Sequence, residues 1–271
     1  MRFHYMSDLH LESQAFPWRL PEGDVLILAG DLCHAACLDP TRRDKYAMDQ
    51  RDRVLRFRDA ACANFDQVIA VIGNHEHYDG IFEDTAPLMR THLEGITLLD
   101  NDTIDFGGLS IFGTTLWSDF EGRRPDVVDG LRRRIGEYFF VRTRDPSNDG
   151  RVSLAKFRPE DALHAHDTAL AALSAHLSAT STKPTVVVSH HAPSLKSLNP
   201  EHRGNGLDGA FASALDAMIA SCETVPVWIH GHTHIRKTYR IGKTQLRVNC
   251  RGYDGKDASA ASFQPATFFD I

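Results

Sequence analysis

The sequence of 271 residues contains no run of about 18 apolar residues, the length that a helix needs to cross a bilayer. It also lacks the charged N-terminal segment and following apolar stretch that are typical of a secretory leader. Its formal net charge of −6 argues against a broad nucleic-acid-binding surface, although a local basic groove is compatible with it. We therefore expect a cytoplasmic protein without a membrane partner.

Cysteine is scarce and forms no recognisable framework. The five cysteines are an odd number, which indicates reduced thiols in a reducing compartment. Cys33 and Cys37 are four residues apart, but a zinc ribbon would need a second pair at similar spacing, and the sequence has none. We interpret these two residues as small loop or core residues.

Side chains of the kind that bind metals follow five hydrophobic runs. Each run is short, rich in β-branched residues and ended by Gly or a polar residue, which is typical of a buried strand. Open α/β folds build their sites where the carboxyl ends of such strands meet. The five groups are Asp8-Leu9-His10, Gly30-Asp31, Gly73-Asn74-His75-Glu76, His190-His191 and Gly231-His232-Thr233-His234.

This arrangement makes a dinuclear metal centre the leading hypothesis, and with it the hydrolysis of a phosphate ester. Two cations about 3.5–4 Å apart neutralise phosphate oxygens and activate a bridging water for in-line attack. In the patterns Asp-x-His and His-x-His, alternate residues of an extended strand end project to the same side, so both side chains of each motif can reach one centre.

Together the five groups resemble the calcineurin-like metallophosphoesterase superfamily. They match the motifs D-x-H, G-D, G-N-H-[DE], a lone His and G-H-x-H in that order, from Asp8 to His234. One such motif alone is weak evidence, whereas five in order, each after a predicted strand, are specific. The resemblance implies an α/β fold in which helices flank a two-sheet β-sandwich, with the metal site at the strand C-terminal ends.

The resemblance also implies a set of ligands. Asp31 would bridge two metals, of which one would also be bound by Asp8, His10 and His234 and the other by Asn74, His190 and His232. Imidazole-rich coordination suits transition metals better than Mg²⁺ or Ca²⁺, which prefer oxygen ligands. We expect two divalent transition-metal ions, Mn²⁺ in the first place, with Fe, Zn, Co or Ni as alternatives.

His75 follows a predicted ligand and can therefore point at the substrate. In the family, the equivalent His protonates the leaving-group oxygen or stabilises the developing charge, so we predict that His75 and the bridging Asp31 are the catalytic residues. The near-neutral intrinsic pKa of imidazole suits this work. Glu76 could orient His75 or a metal-bound imidazole. The alternative is that His75 is a structural histidine in a tight turn.

Two further residues are predicted substrate contacts. In the family pattern H-x-[AP]-P the first His is the ligand, so we predict that His190 binds metal and that His191 faces the substrate or supports the ligands. Arg251 follows a late strand, and its guanidinium could hold a phosphate, although a solvated loop arginine is an equal alternative. His230 is expected on the opposite face of its strand, as a core histidine.

The remaining pattern predicts a single domain over residues 1–271, because strands and helices alternate as in a parallel sheet with crossover helices. Gly107-Gly108 predicts a hairpin between strands at 96–99 and 109–113. Helices are predicted at 44–65, 82–92, 159–177 and 210–221. Turn residues and charges interrupt the pattern at 118–157 and 194–209, which we interpret as insertions near the active face that select the substrate.

A phosphodiesterase acting on a nucleotide or another small-molecule diester is the first expectation. A phosphomonoesterase or protein phosphatase is the alternative, but phosphoprotein phosphatases of the superfamily carry G-D-x-V-D-R-G where this chain has Gly30-Asp31-Leu32-Cys33-His34-Ala35. A non-catalytic scaffold is a distant alternative, because all seven putative ligands and His75 are present. The sequence gives no basis for predicting the oligomeric state.

Overall fold

Two β-sheets packed face to face form the body of the protein, and helices cover the outer face of each sheet. The computed structural model describes residues 1–145, 153–179, 182–200, 203–257 and 259–271. The predicted two-sheet α/β architecture is therefore confirmed.

The strands are, in chain order, β1 (Arg2–Met6), β2 (Gly23–Leu28), β3 (Phe65–Val71), β4 (Ile96–Leu99), β5 (Asp102–Asp105), β6 (Ser110–Thr114), β7 (Arg142–Asp145), β8 (Ser153–Lys156), β9 (Thr185–Ser189), β10 (Val227–His230), β11 (Arg236–Ile241), β12 (Thr244–Asn249) and β13 (Phe268–Asp270). The helices are α1 (Lys45–Asn64), α2 (Thr85–His92), α3 (Phe120–Arg123), α4 (Pro125–Leu131), α5 (Glu137–Phe140), α6 (Pro159–Ala179), α7 (Asp208–Phe211), α8 (Asp216–Ser221) and α9 (Ser259–Ser262). Short 3₁₀ helices lie at Ala35–Leu38, His75–His77, Phe82–Asp84 and Leu195–Ser197.

Parallel strands form the centre of both sheets. The first sheet has the order β13-β1-β2-β3-β4, in which β13 is antiparallel to its neighbour and the other strands are parallel. The second has the order β11-β12-β10-β9-β6-β5, with a parallel centre from β12 to β6 and an antiparallel strand at each edge. The five groups of candidate ligands follow β1, β2, β3, β9 and β10, whose carboxyl ends meet at one end of the sandwich.

The strands are apolar throughout because both of their faces are buried. On β2, Val25 and Ile27 pack against the second sheet, whereas Leu26 and Leu28 alternate with them and pack under the helices. This alternation is the period of two that a strand imposes on its side chains. It explains why the sequence shows continuous hydrophobic runs instead of alternating polar and apolar residues.

Helices on opposite sides complete the layers. α1 and α2 cover the first sheet with Phe57 and Met89, while α6 and α8 cover the second with Leu173 and Ile219. Within the described residues, none of the helices combines the length and the apolar character needed to cross a bilayer.

The predicted hairpin turn at Gly107-Gly108 is confirmed, but the prediction of which strand precedes the turn is wrong. The strand that pairs with β6 across Gly107-Gly108 is β5, while β4 belongs to the first sheet and lies parallel to β3. The chain crosses between sheets at Asn101, whose φ of 55° makes a sharp turn. β5 escaped the sequence analysis because it is an edge strand with Asp at both ends and little buried surface.

The predicted helix at 210–221 is interrupted. α7 ends at Phe211, and the chain is extended at Ala212, which forms an isolated bridge with Ala192 before α8 begins. The N–H of Ala192 donates to the Phe211 carbonyl at 3.2 Å, and the N–H of Ser213 donates to the Ala192 carbonyl at 3.0 Å. These bonds to the loop after β9 compete with helix continuation.

The two predicted insertions contact one another. Residues 146–152 and 201–202 of these segments lie outside the described residues. In the described part, the Ser118 hydroxyl donates to the Gly209 carbonyl at 2.8 Å, and the Arg134 guanidinium donates to the Asn205 carbonyl at 3.0 Å. The segment 118–157 contains α3, α4, α5 and the β7–β8 hairpin, and its side chains pack on α6. Its assignment to a single domain with the sandwich stays a prediction.

We expect Gly113→Ala to destabilise the protein, because Gly113 on β6 lies directly against the first sheet. A methyl group there would collide with the Cβ of Leu99 and would lie 2.9 Å from a methyl of Val71. Overpacking of this kind costs about 1–3 kcal/mol, measurable by urea denaturation. Gly108→Ala is the control, since its methyl would meet no described atom within 4 Å. Equal midpoints for the two variants would contradict this view of the sheet interface.

Candidate metal centre

Asp8, His10 and His234 form one group of donor atoms at the ends of β1 and β10. The Nε2 atoms of His10 and His234 are 3.1 Å apart, and His234 Nε2 is 3.4 Å from Asp8 Oδ1. Ligand atoms of all three residues lie within 4.8 Å of one another. Two imidazole nitrogens and a carboxylate oxygen therefore converge on one point, as predicted for the first metal.

A second group of donor atoms lies at the ends of β3, β9 and β10. His190 Nε2 is 2.9 Å from Asn74 Oδ1 and 3.2 Å from His232 Nδ1. The carboxamide adds an oxygen ligand without adding charge. The structure thus brings together the three residues predicted for the second metal.

Asp31 lies between the two groups. Its Oδ2 is 3.9 Å from His10 Nε2 in the first group, and its Oδ1 is 3.4 Å from His190 Nε2 in the second. The backbone N–H of His75 donates to Oδ1 at 2.9 Å and holds the carboxylate in this orientation. Each oxygen therefore faces a different group, which is the geometry that a bridging carboxylate needs.

Hydrogen bonds behind the ligands turn three imidazoles inward. Nδ1 of His10 donates to Glu12 at 2.8 Å, Nδ1 of His234 donates to Asp257 at 2.7 Å, and Nδ1 of His190 donates to a backbone carbonyl at 2.9 Å. Fixing the far nitrogen points Nε2 toward the centre, where it can exchange its proton for a metal ion. Such partners are typical of metal-binding histidines.

The backbone at five candidate ligands has the left-handed conformation that favours glycine. The φ values are 53° at Asp8, 47° at His10, 55° at Asp31, 67° at His232 and 46° at His234. A non-glycine residue in this region is strained, and such strain concentrates at functional sites. The tight turns explain why both side chains of each D-x-H or H-x-H motif reach the centre although the strand has already ended.

Glu76 anchors the loops that carry Asp31 and Asn74. Its buried carboxylate accepts backbone N–H bonds from Asp31 at 3.0 Å, Leu32 at 2.5 Å, Cys33 at 3.1 Å and Gly73 at 2.6 Å. The sequence motif predicts that Glu76 orients His75 or a metal-bound imidazole. The structure shows it instead as the acceptor for four amides, because the loops after β2 and β3 have no other partner for them among the described residues.

The electrostatics of the centre favour positive charge. Burial lowers the pKa of His190, but Asp31 outweighs it and raises the pKa to about 9. Burial likewise lowers the pKa of His234, whereas Asp257 and Asp8 raise it to about 10. Burial would raise the pKa of Asp31, yet the neighbouring imidazoles hold it well below its usual range. The carboxylate of Asp31 thus stays ionised and stabilises a cation beside it.

His75 lies at the rim of the centre. Its Nδ1 is 3.4 Å from Glu12 Oε1, its ring stacks on Tyr78 with centroids 4.3 Å apart, and its side chain is 20% exposed. Burial lowers the pKa of His75, whereas Asp31 and Glu12 raise it to about 9. A partly exposed, oriented imidazole beside the ligands can reach a bound substrate.

The other predicted site residues are deeper. His191 is buried, with Nδ1 3.3 Å from the Thr115 carbonyl and its ring against His232 at 4.1 Å. Arg251 is fully buried, and its guanidinium donates to the Leu9 carbonyl at 3.2 Å and to Asp254 at 2.7 Å. These positions suit support of the ligands and of the chain beneath them, and the predicted substrate contacts stay predictions.

His230 is a core histidine, as expected. It is fully buried on the opposite side of β10 from the centre, with Nε2 2.7 Å from the Ser197 hydroxyl. Burial lowers its pKa to about 4, so it remains neutral in the core.

Three residues of the site are not among the predicted ligands and catalytic residues. Glu12 continues the alternation of Asp8 and His10 by one more step, which was a usable signal. Tyr253 stacks on His10 with centroids 4.1 Å apart, and Asp257 binds His234 across 23 residues of chain. No local pattern links the last two to the ligands, because their position depends on how the chain folds after β12.

The donor set fits two transition-metal ions. Four imidazoles, two carboxylates and one carboxamide converge in two groups that share Asp31. Imidazole with carboxylate is the combination that Mn, Fe, Co, Ni and Zn accept in proteins. The identity of the metal does not follow from these ligands.

Comparison with known proteins identifies the family of this chain. Residues 1–236 match the calcineurin-like phosphoesterase family. The chain belongs to this family. It is therefore a metallophosphoesterase, a metal-dependent hydrolase of phosphoric esters, and the family predicted from the motifs is confirmed.

Individual relatives are distant. An uncharacterised protein, L509, of Acanthamoeba polyphaga mimivirus is 22% identical over 222 residues, which span 76% of this chain and 74% of the viral protein. The structure of the phosphopantetheinyl hydrolase of Mycobacterium tuberculosis superposes with a TM-score of 0.60 at 19% identity, covering 95% of this chain and 93% of that one. A putative 5′-nucleotidase of Staphylococcus aureus gives a TM-score of 0.49 at 16% identity, covering 93% of this chain and 49% of its own. The superposition on the phosphopantetheinyl hydrolase shows a shared fold, and at 19% identity the substrate does not follow.

We expect Glu76→Gln to destabilise the protein, because the amide group of Gln would leave at least one of the four N–H donors without an acceptor. Each buried polar group left unpaired costs about 1–3 kcal/mol, so the free energy of unfolding should fall by roughly 2–4 kcal/mol. Urea denaturation measures this loss. Glu94→Gln, on the exposed end of the loop after α2, serves as control and should change little. A variant as stable as the control would show that the four amides do not need the charge.

We expect Asp257→Ala to weaken metal binding by Asp8, His10 and His234, because His234 would lose the carboxylate that fixes its tautomer. Removing such a partner typically lowers metal affinity about 10–100-fold. Competition with a chromogenic chelator measures this, with the exposed Asp126→Asn as control. Unchanged affinity in Asp257→Ala would mean that the first ion does not use His234.

Proposed function

We propose that the protein is a phosphodiesterase that uses two metal ions, Mn²⁺ in the first place, to hydrolyse a nucleotide or another small-molecule diester. The observation that carries the proposal is the position of Asp31, with one carboxylate oxygen facing each group of donors at 3.9 and 3.4 Å. A single carboxylate shared by two groups favours two ions close together over one ion or two separate sites.

Two bound cations supply neutralisation of the phosphate oxygens and activation of a water molecule. The protein's part is to hold the seven ligands in place before the substrate arrives. Glu12, Asp257 and the carbonyl of Ala29 fix the imidazoles, and Glu76 fixes the loop of Asp31. Preorganised groups of this kind need no rearrangement during the reaction.

The charges around the centre favour a diester over a monoester. Among the described residues, the carboxylates of Asp8 and Asp31 form their ion pairs with imidazoles and not with Lys or Arg. A phosphate monoester carries a second negative charge at neutral pH, and a site built for it gains from guanidinium or ammonium groups. A diester carries one negative charge and can bind on the two cations alone.

His75 is proposed as the residue that acts on the leaving group. Its Nδ1 faces Glu12, and stacking on Tyr78 holds the plane of the ring, so Nε2 is the atom available to donate a proton to the departing oxygen. General acid catalysis of this kind contributes about 10²–10⁴-fold. It matters most when the leaving group is a poor one.

All five cysteines, each within the described residues, are free thiols, which fits the proposed cytoplasmic location.

We expect hydrolysis of bis-p-nitrophenyl phosphate that depends on added Mn²⁺ and exceeds hydrolysis of p-nitrophenyl phosphate. Asp31→Asn should abolish it, because the shared ligand is weakened for both ions. His75→Ala should lower kcat by about 10²–10⁴-fold for an alkyl leaving group and by less for p-nitrophenolate, which needs no proton. The assay is run metal by metal with Mn, Fe, Co, Ni and Zn.

His164→Ala, an exposed histidine of α6, is the matched control and should behave as wild type. Turnover of the monoester alone would contradict the diesterase proposal and favour a phosphatase. Tight binding of two metal ions without turnover of either substrate would contradict the catalytic proposal for these esters and favour a scaffold.

A further inference from the structure

A cavity of about 220 Å³ opens beside the second group of donors. Its walls come from the loop after β9, from α7 and from the H-x-H turn after β10. Apolar walls are provided by Leu198, Leu207 and Phe211, and polar atoms by Asn205, Asp208 and Thr233. None of these side chains has a role in the proposed chemistry.

The cavity adjoins the metal centre at Phe211 and Thr233. The Phe211 ring stacks on the imidazole of His232, a candidate ligand, with centroids 4.7 Å apart and an interplanar angle of 29°. Thr233 lies between the ligands His232 and His234 in the chain. A group attached to a phosphate on the metals would therefore enter the cavity alongside Phe211.

The Thr233 hydroxyl gives an independent sign of a ligand. The residue is 6% exposed, and its Oγ1 has no hydrogen-bond partner within the described part of the chain. A buried hydroxyl without a partner costs free energy, so native proteins seldom leave one unpaired. Thr233 lines the cavity, and rotation of its buried side chain would bring the hydroxyl to a bound molecule that supplies the missing hydrogen bond.

We propose that this cavity binds the base of a nucleotide substrate. A base is planar, with apolar faces that suit Phe211, Leu198 and Leu207. Its edge carries donors and acceptors that suit Thr233, Asn205 and Asp208. The carboxylate of Asp208 disfavours a second phosphate here, and an aliphatic chain would leave the polar atoms unused. This inference rests on the proposed function and names its substrate class.

The rim of the cavity is held in place before a ligand binds. Arg134 reaches over from the segment after α4, and its guanidinium donates to the carbonyls of Asn205 at 3.0 Å and Gly206 at 3.4 Å. The Asp208 carboxylate accepts the N–H of Gly204 at 2.9 Å, and Asn205 Oδ1 accepts the N–H of Leu207 at 2.9 Å. A preorganised rim lowers the ordering cost of binding.

A larger cavity of about 320 Å³ on the other side of Trp117 is less suited to this role. Three carboxylates, those of Glu83, Asp100 and Asp161, lie in its wall and repel an anionic substrate. Trp117 stacks on His191 with centroids 5.1 Å apart, and His191 in turn packs on the candidate ligand His232 at 4.1 Å, so this cavity adjoins the ligands only through two rings, whereas Phe211 contacts His232 directly. The cavity beside Phe211 is therefore the one that the substrate can share with the metals.

The test is a ligand-observed NMR titration with adenosine, ribose and 1-pentanol. None of these probes is a phosphoester, so binding is measured without turnover and without added metal. We expect adenosine to bind and ribose and pentanol not to, because only the base matches both the apolar walls and the polar edge.

Phe211→Ala and Leu207→Asp should each weaken adenosine binding by at least about fivefold, the lower range for loss of a base–aromatic stack. Two variants are used because Phe211→Ala also uncovers His232. Phe139→Ala removes an exposed phenylalanine of α5, about half of which is in solvent, and is the matched control for loss of an aromatic ring. Circular dichroism confirms that each variant is folded.

The proposal would be overturned if adenosine bound no better than ribose. It would also be overturned if both variants bound adenosine as strongly as the wild type does. If pentanol bound to the wild type and Leu207→Asp weakened that binding, the proposal would be overturned, and the cavity would be assigned to an aliphatic group instead of a base. The phosphodiesterase assay fails or succeeds separately. Base binding without metal-dependent hydrolysis would contradict the proposed function alone, and hydrolysis without base binding would contradict this inference alone.

Discussion

The carboxylate of Glu76 is the interaction on which the centre depends. Four backbone amides from the loops after β2 and β3 converge on it, and without it these buried donors would have no acceptor among the described residues. One side chain thereby fixes the distance between two neighbouring strand ends. Asp31 and Asn74 leave those same strand ends, so the positions of their carboxylate and carboxamide groups are set by a hydrogen-bond network in which no metal takes part.

The centre then balances charge against burial. Asp8 and Asp31 are buried as anions, and this is tolerated because imidazoles surround them and backbone N–H groups donate to them. Three of the four candidate ligand imidazoles, those of His10, His190 and His234, are in turn held from behind by a carboxylate or a carbonyl. Acceptors and donors therefore alternate outward from the centre. The imidazoles stabilise the carboxylates of Asp8 and Asp31, and a further carboxylate or carbonyl stabilises these three imidazoles. Under the proposed function, two cations at the middle would complete the alternation.

Much of this could be predicted from the sequence, for reasons that also explain the failures. The ligand groups were visible because each directly follows a strand that is buried on both faces and so appears as an apolar run, such as Val25 to Ala29. Glu76 was seen, but its partners are backbone amides, which every residue has and no pattern marks. The role of Asp257 could not be predicted from the sequence, since its contact with His234 depends on the path of the chain beyond β12. The prediction of one continuous helix at 210–221 was wrong for a similar reason, because a bridge between Ala192 and Ala212 outweighed the local helical preference.

The contacts between the two irregular segments have a consequence for how such enzymes diversify. Arg134 and Ser118 in one segment hold the carbonyls of Asn205 and Gly209 in the other, so neither segment keeps its shape independently. A loop transplanted from a relative would arrive without its counterpart and lose these bonds. New specificities on this scaffold should therefore be inherited as matched pairs of segments, and a chimera that exchanges both together has the better chance of remaining folded.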